Sequence, residues 1–227
     1  MKKKIIRDIR LYKSEAQNEY GGYITSSFAD KKLTAIIKRV VMKLRESAFS
    51  LGEFDHLYIN FSTCDIAEGM GLSNKVDRYH PWYRYCDVHI EKDMFQKLGS
   101  DEVQDDVILL VRKVLIAYFA TEDFDESHIL SCIQQAVAQG EDMLMKFKEK
   151  VSTKRRAVVF LRFLDSCKFY PLLRVYDAED NLLFEKDLPE AVMLDYLGDI
   201  QVSARRVTIK PRKNAFTEQH KPLVFEY

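Results

Sequence analysis

The sequence predicts an α+β protein in which a mainly antiparallel β-sheet is packed with three main α-helices. Three observations predict it. Apolar residues recur at helical spacing over about residues 30–50, 101–120 and 126–150. Residues 56–61 and 83–90 alternate in polarity with period two, as half-buried strands do. Residues 158–164 are apolar on both faces, the pattern of a central strand covered on both sides.

Taken in order, Ile5, Ile9 and Leu11 mark a first strand, and Gly21-Gly22 is a turn signal before a short strand over residues 23–28. Asp30 is placed to cap a helix whose buried face carries Leu33, Ile36, Ile37, Val40, Val41, Leu44 and Ala48, with Gly52 closing it. In the next strand Leu57, Ile59 and Phe61 face inward and His56, Tyr58 and Asn60 outward. A long polar connection over residues 65–81 follows. It leads to a strand with Cys86, Val88 and Ile90 inward and Tyr85, Asp87 and His89 outward. The second helix begins after Ser100 and Asp101 and the third near Asp125, with Lys146, Lys148 and Lys150 at the latter's C-terminal end. Residues 169–176 and 182–184 form a hairpin across 177–181, and Pro189 opens a short helix that Gly198 ends. Residues 200–209 form a last strand with a bulge or kink near Arg205.

At 227 residues the chain can bury a core without staples. A single domain over residues 1–227 is expected, with a weakly marked sub-boundary at 151–154. The 35 basic and 35 acidic residues cancel, so no whole-molecule field attracts nucleic acid or anionic lipid. Net charge near zero also lowers solubility, which suits a chain that works in a complex or a homo-oligomer. Arg7, Asp8 and Arg10 interrupt the apolar start of the sequence, and no run approaches the ~18 residues of a membrane span. Cys64, Cys86, Cys132 and Cys167 are widely spaced without a CxxC pair, which reads as reduced thiols, no disulfide and a cytoplasmic location.

The common chemistries lack their parts. No two of His56, His80, His89, His128 and His220 share metal-ligand spacing, so neither metal nor cofactor is expected. The stretch 68–73, Glu-Gly-Met-Gly-Leu-Ser, has two glycines but neither a following GKS/T nor a third glycine, and reads as a flexible loop. There is no GxSxG elbow. Cys86 and His89 lie on opposite faces of their strand and point apart.

Two segments carry a binding reading. Arg78, Tyr79, His80, Trp82, Tyr83 and Arg84 bring the only tryptophan together with tyrosines and arginines, the residue types of interface hot spots. A loop anchored on the core by Trp82 explains the same residues without a partner. Single-stranded nucleic acid could stack on such rings, but the balanced charge weighs against it. The alternative surface is acidic: Asp101, Asp105 and Asp106 with Asp123 and Asp125, read as adjacent helix ends facing a basic partner. Capping and solvation are the ordinary roles of such residues. The basic run from Arg205 to Lys213 reads as a solvated edge strand.

The order of segments, a strand like Leu57-Tyr58-Ile59-Asn60-Phe61, another from Trp82 to Ile90, then paired helices and a strand-rich end, resembles bacterial immunity proteins of contact-dependent inhibition and other polymorphic toxin systems. The resemblance covers residues 55–210 and carries no diagnostic motif, so no binding residue transfers with it. It implies a non-enzymatic cytoplasmic inhibitor that occupies or covers a cognate toxin domain. The competing readings are a hydrolase-like enzyme assembled from distant segments, and an oligomeric adaptor using the same aromatic surface.

Overall fold

The structure, a computed structural model, describes residues 3–17, 31–165, 167–214 and 220–227. The Gly21-Gly22 turn, the strand over 23–28 and the Asp30 cap lie outside the described residues. The chain divides into two compact units, Met1–Gly140 and Glu141–Tyr227.

The first unit is built on β1 (Asp8–Lys13), α1 (Lys31–Glu46) and β2 (His56–Ser62). β1 and β2 pair in parallel, Leu11 beside Ile59, a geometry that a crossover such as α1 makes available. Leu33, Ile37, Val40, Val41 and Leu44 are buried along α1 as their spacing predicts, while Ile36 is half-buried and Ala48, expected on the same face, is exposed beyond the helix end. The helix stops at Glu46, where Ala48 takes φ 59° and the Phe49 N–H returns to the Leu44 carbonyl. Gly52, at φ 76°, serves the turn beyond it.

After β2 the long connection is shorter than the sequence implies, because it contains β3 (Met70–Leu72). The glycine-bearing stretch read as a flexible loop is a helical turn followed by that strand, paired antiparallel to β4 (Tyr83–His89). β4 runs parallel to β2, giving the order β1-β2-β4-β3. Three helices complete the unit: a short α2 (Lys92–Lys97) that the sequence pattern does not announce, α3 (Gln104–Phe119) and α4 (Glu126–Gln139). α1 packs on β1 and on α4, and α4 on α3.

The expected helix over 126–150 is corrected at its second half. α4 ends at Gly140, which adopts φ 52°, and β5 (Met145–Val151) follows. Lys146, Lys148 and Lys150 therefore sit on a strand, and a bulge between Lys146 and Lys148 puts Lys146 on the opposite face from the other two. In the second unit β5, β6 (Arg156–Arg162), β7 (Tyr170–Tyr176) and β8 (Leu182–Asp187) form an antiparallel sheet in sequential order. Residues 151–154, the candidate sub-boundary, are the β5–β6 hairpin turn, closed by the Ser152 N–H to the Arg155 carbonyl at 2.8 Å. Val159, Leu161 and Phe163 are buried, as a central strand requires.

The segment after Pro189 holds no helix; it makes an isolated bridge between Phe169 and Ala191 and then turns. The expected strand over 200–209 is a hairpin of β9 (Ile200–Val202) and β10 (Arg206–Ile209), and the parity shift near Arg205 is its turn. β11 (Leu223–Glu226) completes this three-stranded sheet, and β9 packs against β5 and β6. Across the described residues six of the eight strand pairings are antiparallel, so the α+β class with a mainly antiparallel sheet holds. No helix among them is long and apolar enough to cross a membrane.

Candidate functional site: a polar sheet face and the aromatic arch at its edge

The register of the first sheet arranges one face as a grid. Paired residues of neighbouring strands point the same way, so Asp8, His56 and Tyr83 form one row. Arg10, Tyr58 and Tyr85 form the next, and Tyr12, Asn60, Asp87 and Gly71 the third. The sequence assigns these positions correctly to one face and wrongly to solvent. Tyr12, Tyr58, Tyr85, Asn60 and Asp87 are all at most 5% exposed. β2 and β4 are buried on both sides, as strands of a parallel sheet are.

The rings stack across the strands. Tyr12 and Tyr58 lie 5.5 Å apart and nearly parallel, and Tyr58 meets Tyr85 at 5.1 Å and Tyr83 at 4.8 Å. The Arg10 guanidinium sits 5.4 Å over Tyr58 and donates to the Asp8 carboxylate at 2.9 Å, while Lys38 of α1 pairs with the same carboxylate. Burial by itself would lower the Arg10 pKa; the bond to Asp8 and the facing phenols more than reverse it. Burial raises the Tyr58 pKa and pushes that of Tyr85 up to about 12, so both stay neutral phenols in ordinary conditions.

The arch over residues 77–84 grows from the edge of this grid. The Asp77 carboxylate accepts the N–H groups of Tyr79 at 2.9 Å and His80 at 2.8 Å, an Asx turn that fixes the tip. Burial would raise the Asp77 pKa, but those two N–H bonds and the His80 ring hold it below the usual carboxylate range. His80 stacks on Tyr83 at 4.7 Å with rings almost parallel, and its edge meets Trp82 at 5.5 Å. Lys4 lies 5.4 Å over the Trp82 ring. Tyr83 packs against the buried tyrosines, and Arg84 donates to the Ser73 carbonyl at 3.0 Å and covers Phe54. Tyr79 is 85% exposed, and Arg78 beside it is exposed too.

The sequence-derived set therefore splits in two. Arg78 and Tyr79 project outward, Tyr83 and Arg84 are pedestal, and His80 and Trp82 are half-buried between them. The acidic set does not form one patch. Asp101, Asp105 and Asp106 lie at the N-terminal end of α3, and Asp123 and Asp125 follow its C-terminal end. A helix of that length is about 24 Å long, so the two groups are far apart. Several are also committed locally: Asp101 to Lys32 and Gln104, Asp123 to Lys3, and Asp125 as the α4 N-cap. Asp125 is held down to about 2 by the Ser127 hydroxyl and the His128 N–H and ring.

Cys86 is buried while His89 hydrogen-bonds the Cys64 carbonyl at 2.7 Å, so the two side chains have separate surroundings, as strand alternation requires. Among the described residues no group of three or more His, Cys, Asp or Glu side chains could hold a metal ion. What the arrangement offers chemically is hydrogen-bonding and stacking area on a stiff support. Its class is that of an α+β fold with a β-α-β core and an aromatic edge. Compared with family models, curated proteins and solved structures, the chain matches none.

Sequence reasoning missed Asp8, Arg10, Tyr12, Tyr58, Asn60 and Asp87 as members of a site. A signal was present in Tyr58 and Tyr85, large rings on the outward positions of β2 and β4 that carry much apolar surface to bury.

Proposed function

We propose that this chain is a non-enzymatic binding protein that docks a protein partner on the arch at residues 78–84, and that it acts as a cytoplasmic immunity protein neutralising a cognate toxin domain. One observation carries the binding reading: Tyr79, a large ring 85% exposed, stands on a backbone that is already fixed. The Asp77 turn, the His80–Tyr83 stack and the Arg84 tie hold the tip before any partner arrives. Pre-fixing a tip lowers the ordering entropy of docking, and aromatic anchors flanked by arginine are the usual centres of such interfaces. The toxin-neutralising role is supported by the resemblance in segment order alone.

The test is co-expression with the product of the neighbouring gene, with growth and affinity read for the parent chain and for Tyr79→Ala. Truncating a true anchor costs about 2 kcal/mol or more, roughly thirty-fold in affinity. Equal affinity for the parent and for Tyr79→Ala would move the interface off the arch. Failure of the chain to protect cells that make the neighbouring product would remove the immunity reading and leave the binding reading standing.

A further inference from the structure

The arch departs from the charge balance of the whole chain. Over the full sequence 35 basic residues offset 35 acidic ones, but residues 74–84 set Lys75, Arg78 and Arg84 against the single acid Asp77. That acid is spent inside its own turn. Its Oδ1 accepts the N–H groups of Tyr79 and His80 and lies 3.2 Å from His80 Nδ1. A carboxylate folded back onto its own backbone does little to neutralise what the tip presents.

The cations of the arch are held differently from those of the second unit. There Arg156, Arg162 and Arg174 each end on a carboxylate. Here Lys4 lies 5.4 Å over the Trp82 ring, and Arg84 lies 5.3 Å over Phe54 while donating to the Ser73 carbonyl. A ring face or a carbonyl orients a cation and leaves its charge in place. Arg78 is exposed, and among the described residues neither it, Lys4 nor Arg84 is in an ion pair. Between these cations stand Val76 and Tyr79, both largely exposed.

From this pattern we infer that the arch docks an acidic segment of its protein partner. Carboxylates meet Arg78, Arg84 and Lys4, and apolar side chains between them meet Val76 and Tyr79. The inference rests on the docking reading of the arch and adds the partner's charge to it. Single-stranded nucleic acid would also bring negative charge, but it stacks successive bases on successive rings. In the arch His80 and Tyr83 are stacked on each other and Lys4 covers Trp82, which leaves Tyr79 as the ring in the open.

The experiment titrates the full chain with three probes, following the backbone amides of residues 76–80 and the Trp82 indole N–H. The probes are a blocked peptide made of two Glu-Glu-Leu-Gly repeats, its Lys-Lys-Leu-Gly counterpart, and a single-stranded oligothymidylate. The acidic peptide is expected to shift these signals saturably, and its affinity to fall about ten-fold as salt is raised past the level where exposed charges are screened. The lysine peptide is expected to give no saturable shift. Arg78→Glu is expected to weaken the acidic peptide about ten-fold or more with an unchanged thermal melt, and Tyr79→Ala to weaken it as well. No saturable shift with the acidic peptide, or equal binding of the lysine peptide, would overturn the inference. Tighter binding of the oligothymidylate would overturn it in favour of nucleic acid. Undiminished binding by Arg78→Glu together with loss in Tyr79→Ala would overturn the charge selection and leave the docking reading standing. Undiminished binding by both variants would remove the arch from the interface altogether.

Discussion

The polar residues along β2 and β4 in the first unit and those of β6 and β7 in the second unit behave in opposite ways. In the first unit, Tyr58, Asn60, Tyr85 and Asp87 are buried and the rings stack on one another. In the second unit, the polar residues are long charged side chains paired at the surface. Arg156 reaches Asp180 at 2.9 Å and Glu149 at 3.3 Å, Arg174 reaches Glu185 at 2.6 Å, and Arg162 pairs with Asp187. What separates them is the kind of polar residue: rings, an amide and a short carboxylate that can be buried if matched, against long charged side chains whose ends stay near water.

The largest expected effect is at the centre of the buried face. Tyr58→Ala should cost about 3–5 kcal/mol, the range for deleting a large packed ring. Arg174→Ala, which removes one ion pair of the outer face, should cost about 1 kcal/mol or less. Urea unfolding followed by Trp82 fluorescence reads the first, since Trp82 is the only tryptophan and lies 6.2 Å from Tyr83. Hydrogen exchange on β6 and β7 reads the other. Equal costs would erase the distinction between the faces.

Backbone closeness gives the next effect, in the other unit. A Cβ on Gly198 would lie 2.4 Å from the Pro211 carbonyl oxygen and 2.5 Å from that of Lys210. Gly198→Ala is therefore expected to destabilise β9–β10 by about 2 kcal/mol or more. The expected outcome is faster exchange of the Ile200 and Ile209 amides, with those of β2 unchanged.

Tyr79→Ala sharpens the comparison from the opposite side. This ring is exposed, so its loss should change stability by no more than about 0.5 kcal/mol while weakening partner binding. A thermal melt alongside the affinity measurement separates the two. A stability loss comparable to that of Tyr58→Ala would mean that Tyr79 belongs to the core.

The smallest effect is a pH dependence at the Asp77 turn. Its carboxylate titrates below the ordinary range, so the stabilisation is complete above that range and fades as pH falls through the depressed value. Trp82 emission should hold steady from neutral pH into the mild-acid region and shift only below the ordinary carboxylate range. Asp77→Asn should remove that acid step; its persistence in the variant would assign it elsewhere.

Much of the fold was legible because periodicity reports directly on burial. The stripes of α1 and α3, the alternation of β2 and β4 and the two-faced β6 all follow from it. The errors fall where local pattern is ambiguous. Residues 143–147 continue a helical stripe and also begin a strand, and only the backbone turn at Gly140 decides between them. The parity shift near Arg205 fits a bulge as well as a hairpin turn. For the candidate site, the sequence located the arch but not its support. Alternation says which residues share a face and is silent on whether that face is covered, which depends on chain distant in sequence.

The central claim is that one sheet face is a sequestered tyrosine grid whose edge presents a single exposed ring. Hydroxyl-radical footprinting of the folded chain, read residue by residue by mass spectrometry, tests it most directly. Rapid modification of Tyr79 is predicted, with Tyr12, Tyr58 and Tyr85 spared until the chain unfolds. Modification of Tyr58 or Tyr85 at the rate of Tyr79 in the folded protein would contradict it.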